Sequence, residues 1–368
     1  MAQTMYSSIF GELTKQVQVR IDTAAELRKR MFDATVYSKY LDWDTPTIGL
    51  NFEEVIGSAN ISVAAATMDS RGKEPVIGSE GFKTIRDRVL SHQLTYSMPI
   101  EDYRKVLQLV DSKRISDNEK MEQMIRLMLG NVQTVVNGIE ARHDMMFLGA
   151  LSNKGVLTFD AANNPEGGMT GTIDYGMPEE NIAEVTANWT AENIDKVDCF
   201  DDIQAMLDLA QDKVMPTKIL LAQNRLSYIL RNKKMKLAVF GSDKASTPLL
   251  FSTLNEFMKQ NGLPEFEVVR RIVRVSNNGT ISEYKPFNDK NIVFVPDGKL
   301  GTIKNAYADS ELREETGVAY SNYGRIRISQ WGVGESQNSN GVEFTKAQVL
   351  SLPVITEIDN IYSLTVEK

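Results

Sequence analysis

The sequence predicts an α+β fold, and three observations predict it. Met121, Ile125, Met128, Val132, Val135 and Ile139 recur at spacings of 4, 3, 4, 3 and 4, which places all six on one stripe of a long helix. Leu94, Tyr96, Met98 and Ile100 alternate with Thr95, Ser97 and Pro99 at the period of a strand. From Asp198 onward helical and extended patterns interleave, and the last fifty residues return to β.

The bulk properties agree with a folded chain. At 368 residues there is room for about two domains of ~150 residues. Hydrophobic residues at 42% and charged residues at 24% exclude collagen, a coiled-coil rod and wholesale disorder. Lys and Arg number 41 against 49 Asp and Glu, a formal charge of -8, so a basic duplex-binding domain is disfavoured and any nucleic acid contact is local. The opening residues have neither a basic segment nor an apolar one, and no run approaches the ~18 apolar residues of a membrane span. The expectation is a protein without membrane contact that stays where it is made.

Taken in order, residues 1–47 read as an N-terminal arm with one short helix, signalled by Thr23 and Glu26 at capping-box spacing and by Leu27 and Met31 on one face. Asp42 to Pro46 reads as a turn. Residues 48–100 read as an extended hairpin loop whose middle, with Arg71, Lys73, Glu74, Lys83, Arg86, Asp87 and Arg88, is too charged to bury by itself. The stripe then defines a helix over 116–151, opened by a capping box of Ser116 and Glu119 and interrupted by Gly130 and Gly138. At 1.5 Å per residue it spans roughly 50 Å, long enough to act as a spine. The stripe is read as a core face, with a dimerising coiled coil as the alternative.

Residues 152–193, rich in Gly, Asn, Thr and Pro, read as a boundary. Beyond it the pattern gives a helix at 202–214, a strand at 218–222, helices at 224–237 and 253–261, and strands at 265–275 and 291–295, with Asn278-Gly279 as a hairpin turn. Strands at 325–331, 348–354 and 361–366 close the chain. No internal repeat is present.

Catalytic signals are weak. Asp195, Asp198, Asp201, Asp202 and Asp208 form the densest acidic cluster, which could hold Mg²⁺ or complement the positive end of a helix, the latter being the stronger reading. The single cysteine, Cys199, excludes a disulfide framework and a multi-thiolate zinc site, and reads as a buried inert thiol. His92 and His143, 51 positions apart, have no metal-ligand spacing and read as packed or solvent-facing. Gly332-Val333-Gly334 lacks the setting of a dinucleotide loop, and Gly241 to Lys244 lacks that of a phosphate loop. Arg231 to Lys236, the one basic run, reads as a solvated face, with phosphate binding as the alternative.

The order of pieces (arm, charged hairpin, spine, Gly-rich boundary, α/β unit, returning strands) resembles the Hong Kong 97 phage capsid fold, and local motifs resemble the lambda major head protein family. These motifs are Gly138-Ile139-Glu140-Ala141-Arg142 through Gly149, Ile173-Asp174-Tyr175-Gly176 followed by Trp189 and Asp201-Asp202-Ile203, Phe294-Val295-Pro296-Asp297-Gly298-Lys299-Leu300-Gly301, and Ser351-Leu352-Pro353-Val354 with Asp359 to Val366. The resemblance covers most of residues 50–368; the arm matches only in role. It implies a major capsid protein, not an enzyme and without cofactors, that self-assembles as hexamers and pentamers into an icosahedral shell around double-stranded DNA.

It also implies a peripheral domain of residues 101–194 and 308–345 and an axial domain of residues 195–307 and 346–368. The hairpin would lie over a neighbour, with Arg71, Lys73, Glu74, Lys83, Arg86 and Arg88 as contact candidates. Implied partners are portal and scaffolding proteins, a decoration protein where one is used, and DNA held by weak non-specific contact; the virion, assembled in the host cytoplasm, is the implied location. No scaffolding segment precedes the arm, so a scaffold is expected as a separate or removed chain. Two rivals remain: an encapsulin-like compartment of the same fold, and a metal-dependent hydrolase built on Asp201, Asp202 and Asp208.

Overall fold

The computed structural model describes residues 11–23, 34–56, 83–165, 169–211, 213–242, 246–277, 279–333 and 341–368. Its seventeen strands among these residues include β1 (Leu41–Trp43), β2 (Asn51–Ile56), β3 (Lys83–Arg88) and β4 (Leu90–Pro99), followed by a helix at Ile100–Asp111 and the spine helix at Asp117–Ser152. Next come β5 (Val156–Phe159), β6 (Gly171–Asp174) and β7 (Ile182–Glu184). The interleaved region holds helices Cys199–Leu209, Gln223–Arg231, Lys233–Phe240 and Phe251–Gln260 among β8 (Lys218–Ala222), β9 (Glu265–Val269), β10 (Val273–Asn277), β11 (Thr280–Tyr284) and β12 (Asn291–Val295). The tail supplies β13 (Gly301–Ala306), β14 (Ala319–Tyr323), β15 (Ile326–Gly332), β16 (Gly341–Ile355) and β17 (Tyr362–Thr365).

The spine begins as its sequence dictates. Ser116 Oγ accepts from the Glu119 N–H at 3.3 Å while Glu119 Oε2 accepts from the Ser116 N–H at 3.1 Å, satisfying two of the free donors at the helix start. Over its 36 residues, Ile125, Met128, Val132, Val135 and Ile139 are buried. Met121 departs from the expected stripe at 39% exposure, because it sits on the first turns, which the packed elements leave uncovered. From Met145 onward the helix is apolar on nearly every side, with Met145 to Leu148 and Ala150 to Ser152 all buried, so its end runs through the core. Gly138 lets β4 lie close: a Cβ there would collide with Leu94 Cδ2.

Two larger sheets flank the spine. In the first, order β1-β13-β16-β15-β14, the fifteen-residue β16 is the organising strand. One of its edges pairs with β4 from Gly341↔Pro99 to Ser351↔Leu90. The other pairs first with β15, Gly332↔Glu343 to Arg327↔Gln348, and then with β13, Ala306↔Leu350 to Gly301↔Ile355. The second sheet has order β7-β17-β12-β8-β9. Strand period sorts its side chains: Ile219, Leu221, Ile292 and Phe294 face the four helices, while Leu220, Val293 and Val295 face the end of the spine at Met146 to Leu151. Both faces are covered, so β12 reads as a continuous apolar run.

Several expectations shift. The described part of the arm has a helix at Thr14–Thr23, and Leu13 just before it, Val17 and Ile21 are buried against the spine; the helix expected from Thr23 with Glu26, Leu27 and Met31 lies outside the described residues. Asp42, expected in a turn, lies in β1. The expected 224–237 helix is two helices, because Asn232 turns its side chain to cap the second, accepting from Met235 N–H at 2.8 Å and donating to the Ile194 and Val197 carbonyls. The expected 265–275 strand breaks at Arg270 to Ile272, after which β10 and β11 form a separate ribbon over Met145. β2 and β3 pair as the hairpin's base, but β4 leaves it to join β16, and Ile100 opens a helix. The expected domain boundary between 345 and 346 falls inside β16.

Candidate functional site

The densest polar constellation lies where the arm, the spine and the interleaved region meet. Asp144, buried on the spine, accepts from the backbone N–H groups of Val36 (2.8 Å) and Tyr37 (2.9 Å) through Oδ1, anchoring the start of the short helix Tyr37–Tyr40. Its Oδ2 lies 2.7 Å from Arg271 Nε, so one carboxylate ties the arm and the β9–β10 connection to the spine. This pairing turns Arg271 inward and accounts for the break between the two strands. One turn back, Glu140 Oε2 accepts from the Tyr37 hydroxyl. Burial raises the Glu140 carboxyl to about 7, the Tyr37 hydrogen bond opposing and the Asp144 charge adding to the rise.

The two histidines complete the cluster. His143 Nε2 lies 2.8 Å from Ser351 Oγ and His92 Nε2 3.0 Å from Ser351 O, both within β16, and the two rings are 5.7 Å apart. Tyr37 and Trp43 pack on His143 at 5.3 and 5.2 Å. Burial pushes His92 down to about 4 and His143 well below its ordinary range, so both are neutral at pH 7. They are packed core side chains that cement β4, β16 and the spine.

A pH dependence follows. Below about pH 6.5 the unfolded chain gains protons that the folded histidines refuse, so each removes about 1.4 kcal/mol of stability per pH unit as pH falls. Glu140 acts oppositely: its raised folded pKa means stability is lost as pH rises from about 4.5 to about 7, and gained as pH falls through that window. Asp144, also raised by burial, acts with Glu140 against the two histidines, so removing either carboxyl leaves the histidines less opposed. Urea unfolding between pH 6.5 and 5 should show Glu140→Gln losing stability faster than wild type as pH falls; an unchanged slope in the variant would contradict the assignment.

The other candidates are placed individually. Asp198 caps the helix Cys199–Leu209, accepting from Asp201 N–H at 3.2 Å; Asp202 accepts from the Trp189 indole at 2.8 Å; Asp195 and Asp198 pair with Lys233 and Lys234. The acidic cluster and part of the basic run thus bind each other, and among the described residues no three His, Cys, Asp or Glu side chains converge as a metal site requires. Cys199 is buried, its thiol pushed up by burial and then by Asp202 and Asp198. Arg71, Lys73 and Glu74 lie outside the described residues. Lys83 and Arg86 stand opposite Ile56 and Glu53 in the β2–β3 ribbon, and Arg88, opposite Asn51, is exposed. Asp144 with Arg271 had no signal in the sequence, since no local spacing links residues so far apart.

Among the described residues these side chains hold the arm to the long spine. A prophage protein of E. coli CFT073 assigned to the capsid shares the fold, with 15% identity, a TM-score of 0.61, and 96% of this chain and 98% of that one covered. A phage-related protein of Bordetella bronchiseptica RB50 (11% identity, TM-score 0.47, 99% and 98% covered) and the capsid of cyanophage P-SCSP1u (12%, 0.43, 91% and 88%) are also similar. No curated protein matches. The fold is the Hong Kong 97-like capsid fold. Residues 60–366 match the model for phage major capsid protein E, and the chain belongs to that family. It is a shell-forming structural protein of the virion that assembles with copies of itself. Among the described residues no helix is long and apolar enough to cross a membrane.

Proposed function

We propose that this subunit tiles an icosahedral shell around a packaged double-stranded DNA genome, as hexamers and pentamers, without catalysis. The family match over 60–366 carries the reading. The domains of the resemblance are retained as a proposal: arm 1–47, hairpin 48–100, peripheral 101–194 and 308–345, axial 195–307 and 346–368. The cluster of four helices on the β8–β12–β17 sheet supports the axial unit, while the spine cluster also takes in Ala347 and Val349 from beyond residue 345.

The ribbon β2–β3 belongs to neither larger sheet, and a two-stranded ribbon is marginal in water. A ribbon outside both sheets suits a clasp on a neighbouring subunit, with Arg71, Lys73, Glu74, Lys83, Arg86 and Arg88 as its contact candidates. Many weak interfaces closed by symmetry then make a strong shell. Portal and scaffolding proteins, a decoration protein and loosely held DNA are the further partners of this reading, with assembly in the host cytoplasm.

The test is assembly. Expressed alone or with its scaffold, the protein should sediment as shells, tubes or capsomers visible by negative stain, with nucleic acid rather than an enclosed enzyme as natural content. A stable 41.2 kDa monomer under every assembly condition would overturn the reading.

A further inference from the structure

We propose that the cavity between the arm and the spine is a binding site for a primary alkylammonium group. It measures about 330 Å³ and is walled by Thr35, Tyr37 and Trp43 of the arm, Glu140 of the spine, and Tyr323 and Arg325 beside the β14–β15 turn. That volume suits a small ligand or a single long side chain. The site belongs to the single subunit and stands whether or not subunits form shells.

The charges select the ligand. Asp144, on the same helix, is matched by Arg271 at 2.7 Å and by two backbone N–H groups. Glu140, one turn away and only 8% exposed, takes one hydrogen bond from Tyr37 at Oε2, and a carboxylate has room for several more donors. Glu140, which feels Arg271 only at longer range and holds no close ion pair among the described residues, is the carboxyl of this pair that lines the cavity. Tyr37, Trp43 and Tyr323 supply aromatic surface, which attracts organic cations. A hard divalent ion would need six or more oxygen ligands and keeps its waters, which one carboxyl among aromatic rings does not replace. Arg325, exposed beside the turn, puts a like charge on the wall that weakens the hold on any cation, and weakens it most for multiply charged ones, so the cation this wall tolerates best is a single ammonium on an apolar stem.

Binding is coupled to a proton, because a cation seated on Glu140 requires its ionised form, and burial holds that carboxyl protonated up to about pH 7. Calorimetric titration of the purified subunit with n-butylammonium should show saturable binding at about pH 8, weakened about tenfold at pH 6, with release of close to one proton per ligand at the lower pH. Neutral n-butanol should not bind. Glu140→Gln should weaken binding at least tenfold; should that variant lose its fold, Trp43→Leu and Tyr323→Leu at the aromatic wall should each weaken it severalfold with Glu140 in place. Affinity independent of pH, equal binding of n-butanol, or no binding at millimolar ligand would overturn the proposal.

The cation has two possible sources, a free alkylamine or a lysine of a second copy, and assembled shells separate them. Continued uptake of n-butylammonium by shells identifies the free amine. Loss of uptake on assembly, together with weaker shells from Glu140→Gln subunits, identifies the lysine. Failure to assemble would count against the shell reading alone.

Discussion

Met128→Asp should abolish folding of the subunit, not merely its assembly. Met128 is fully buried at the middle of the spine, in one cluster with Val17 and Ile21 of the arm helix, Met98 of β4, and Ile326 and Ile328 of β15. Removing its side chain forfeits about 2–5 kcal/mol of burial and packing. Placing a carboxyl there adds the cost of desolvating a polar group without a partner, about 1–3 kcal/mol even if it stays protonated. The sum approaches the whole stability of an ordinary domain, roughly 5–15 kcal/mol. The variant should therefore be insoluble, or lack cooperative unfolding in circular dichroism. Two controls separate burial from assembly. Met128→Leu keeps volume and apolarity and should cost less than about 1.5 kcal/mol. Met121→Asp, on the same predicted stripe but 39% exposed, should fold normally. Soluble, cooperatively folded Met128→Asp at wild-type yield would show that this part of the stripe is not core.

The contrast between Met128 and Met121 shows where sequence reading stopped. Helical period is a local property, so the stripe and its Ser116–Glu119 cap are legible, as are the strands at 218–222 and 291–295, whose apolar runs are short and sharply bounded. How far neighbours cover a face is not local, and Met121 lies beyond them. The helix at Thr14–Thr23 had a signal, Leu13, Val17 and Ile21 at i, i+4 and i+8, too short a series to stand out beside the spine stripe. Asn232 and Arg271 broke expected elements through side-chain partners distant in sequence. The clamp of Asp144 on the arm was invisible for the same reason. The motif residues fared better, since some acquire physical roles: Trp189 donates to Asp202, and the Tyr175 hydroxyl donates to the carbonyl of Pro353.

Gly301, the last glycine of the Pro296 to Gly301 motif, leads to the second large effect. It pairs with Ile355 of β16 on one side and Leu41 of β1 on the other, so the strand is hydrogen-bonded along both edges at this point. A Cβ added there would overlap the Val354 carbonyl oxygen and lie 3.0 Å from Ile355 Cα and Thr356 N. All three obstacles are backbone atoms, so no side chain can swing aside; β13 or β16 must move. The neighbourhood resists movement. The Leu300 N–H donates to Tyr40 O at 2.7 Å, and the Leu300 carbonyl accepts from both Thr356 and Glu357 at 3.0 Å. Shifting the strand would strain the join between the arm, the sheet and the turn before β17, with Leu300 and Ile303 fully buried beside it. Overpacking of this kind costs about 1–3 kcal/mol where neighbours are side chains, and more where backbone must give. Gly301→Ala should thus lose about 3 kcal/mol in urea unfolding, and Gly301→Val, whose branches meet the same atoms, should fail to fold. Gly298, at φ +92° in the preceding turn with open space around it, requires its backbone conformation instead. Gly298→Ala should therefore be the milder change, near 1 kcal/mol. Equal unfolding midpoints for Gly301→Val and wild type would show that the two strands do not approach as closely as this geometry requires.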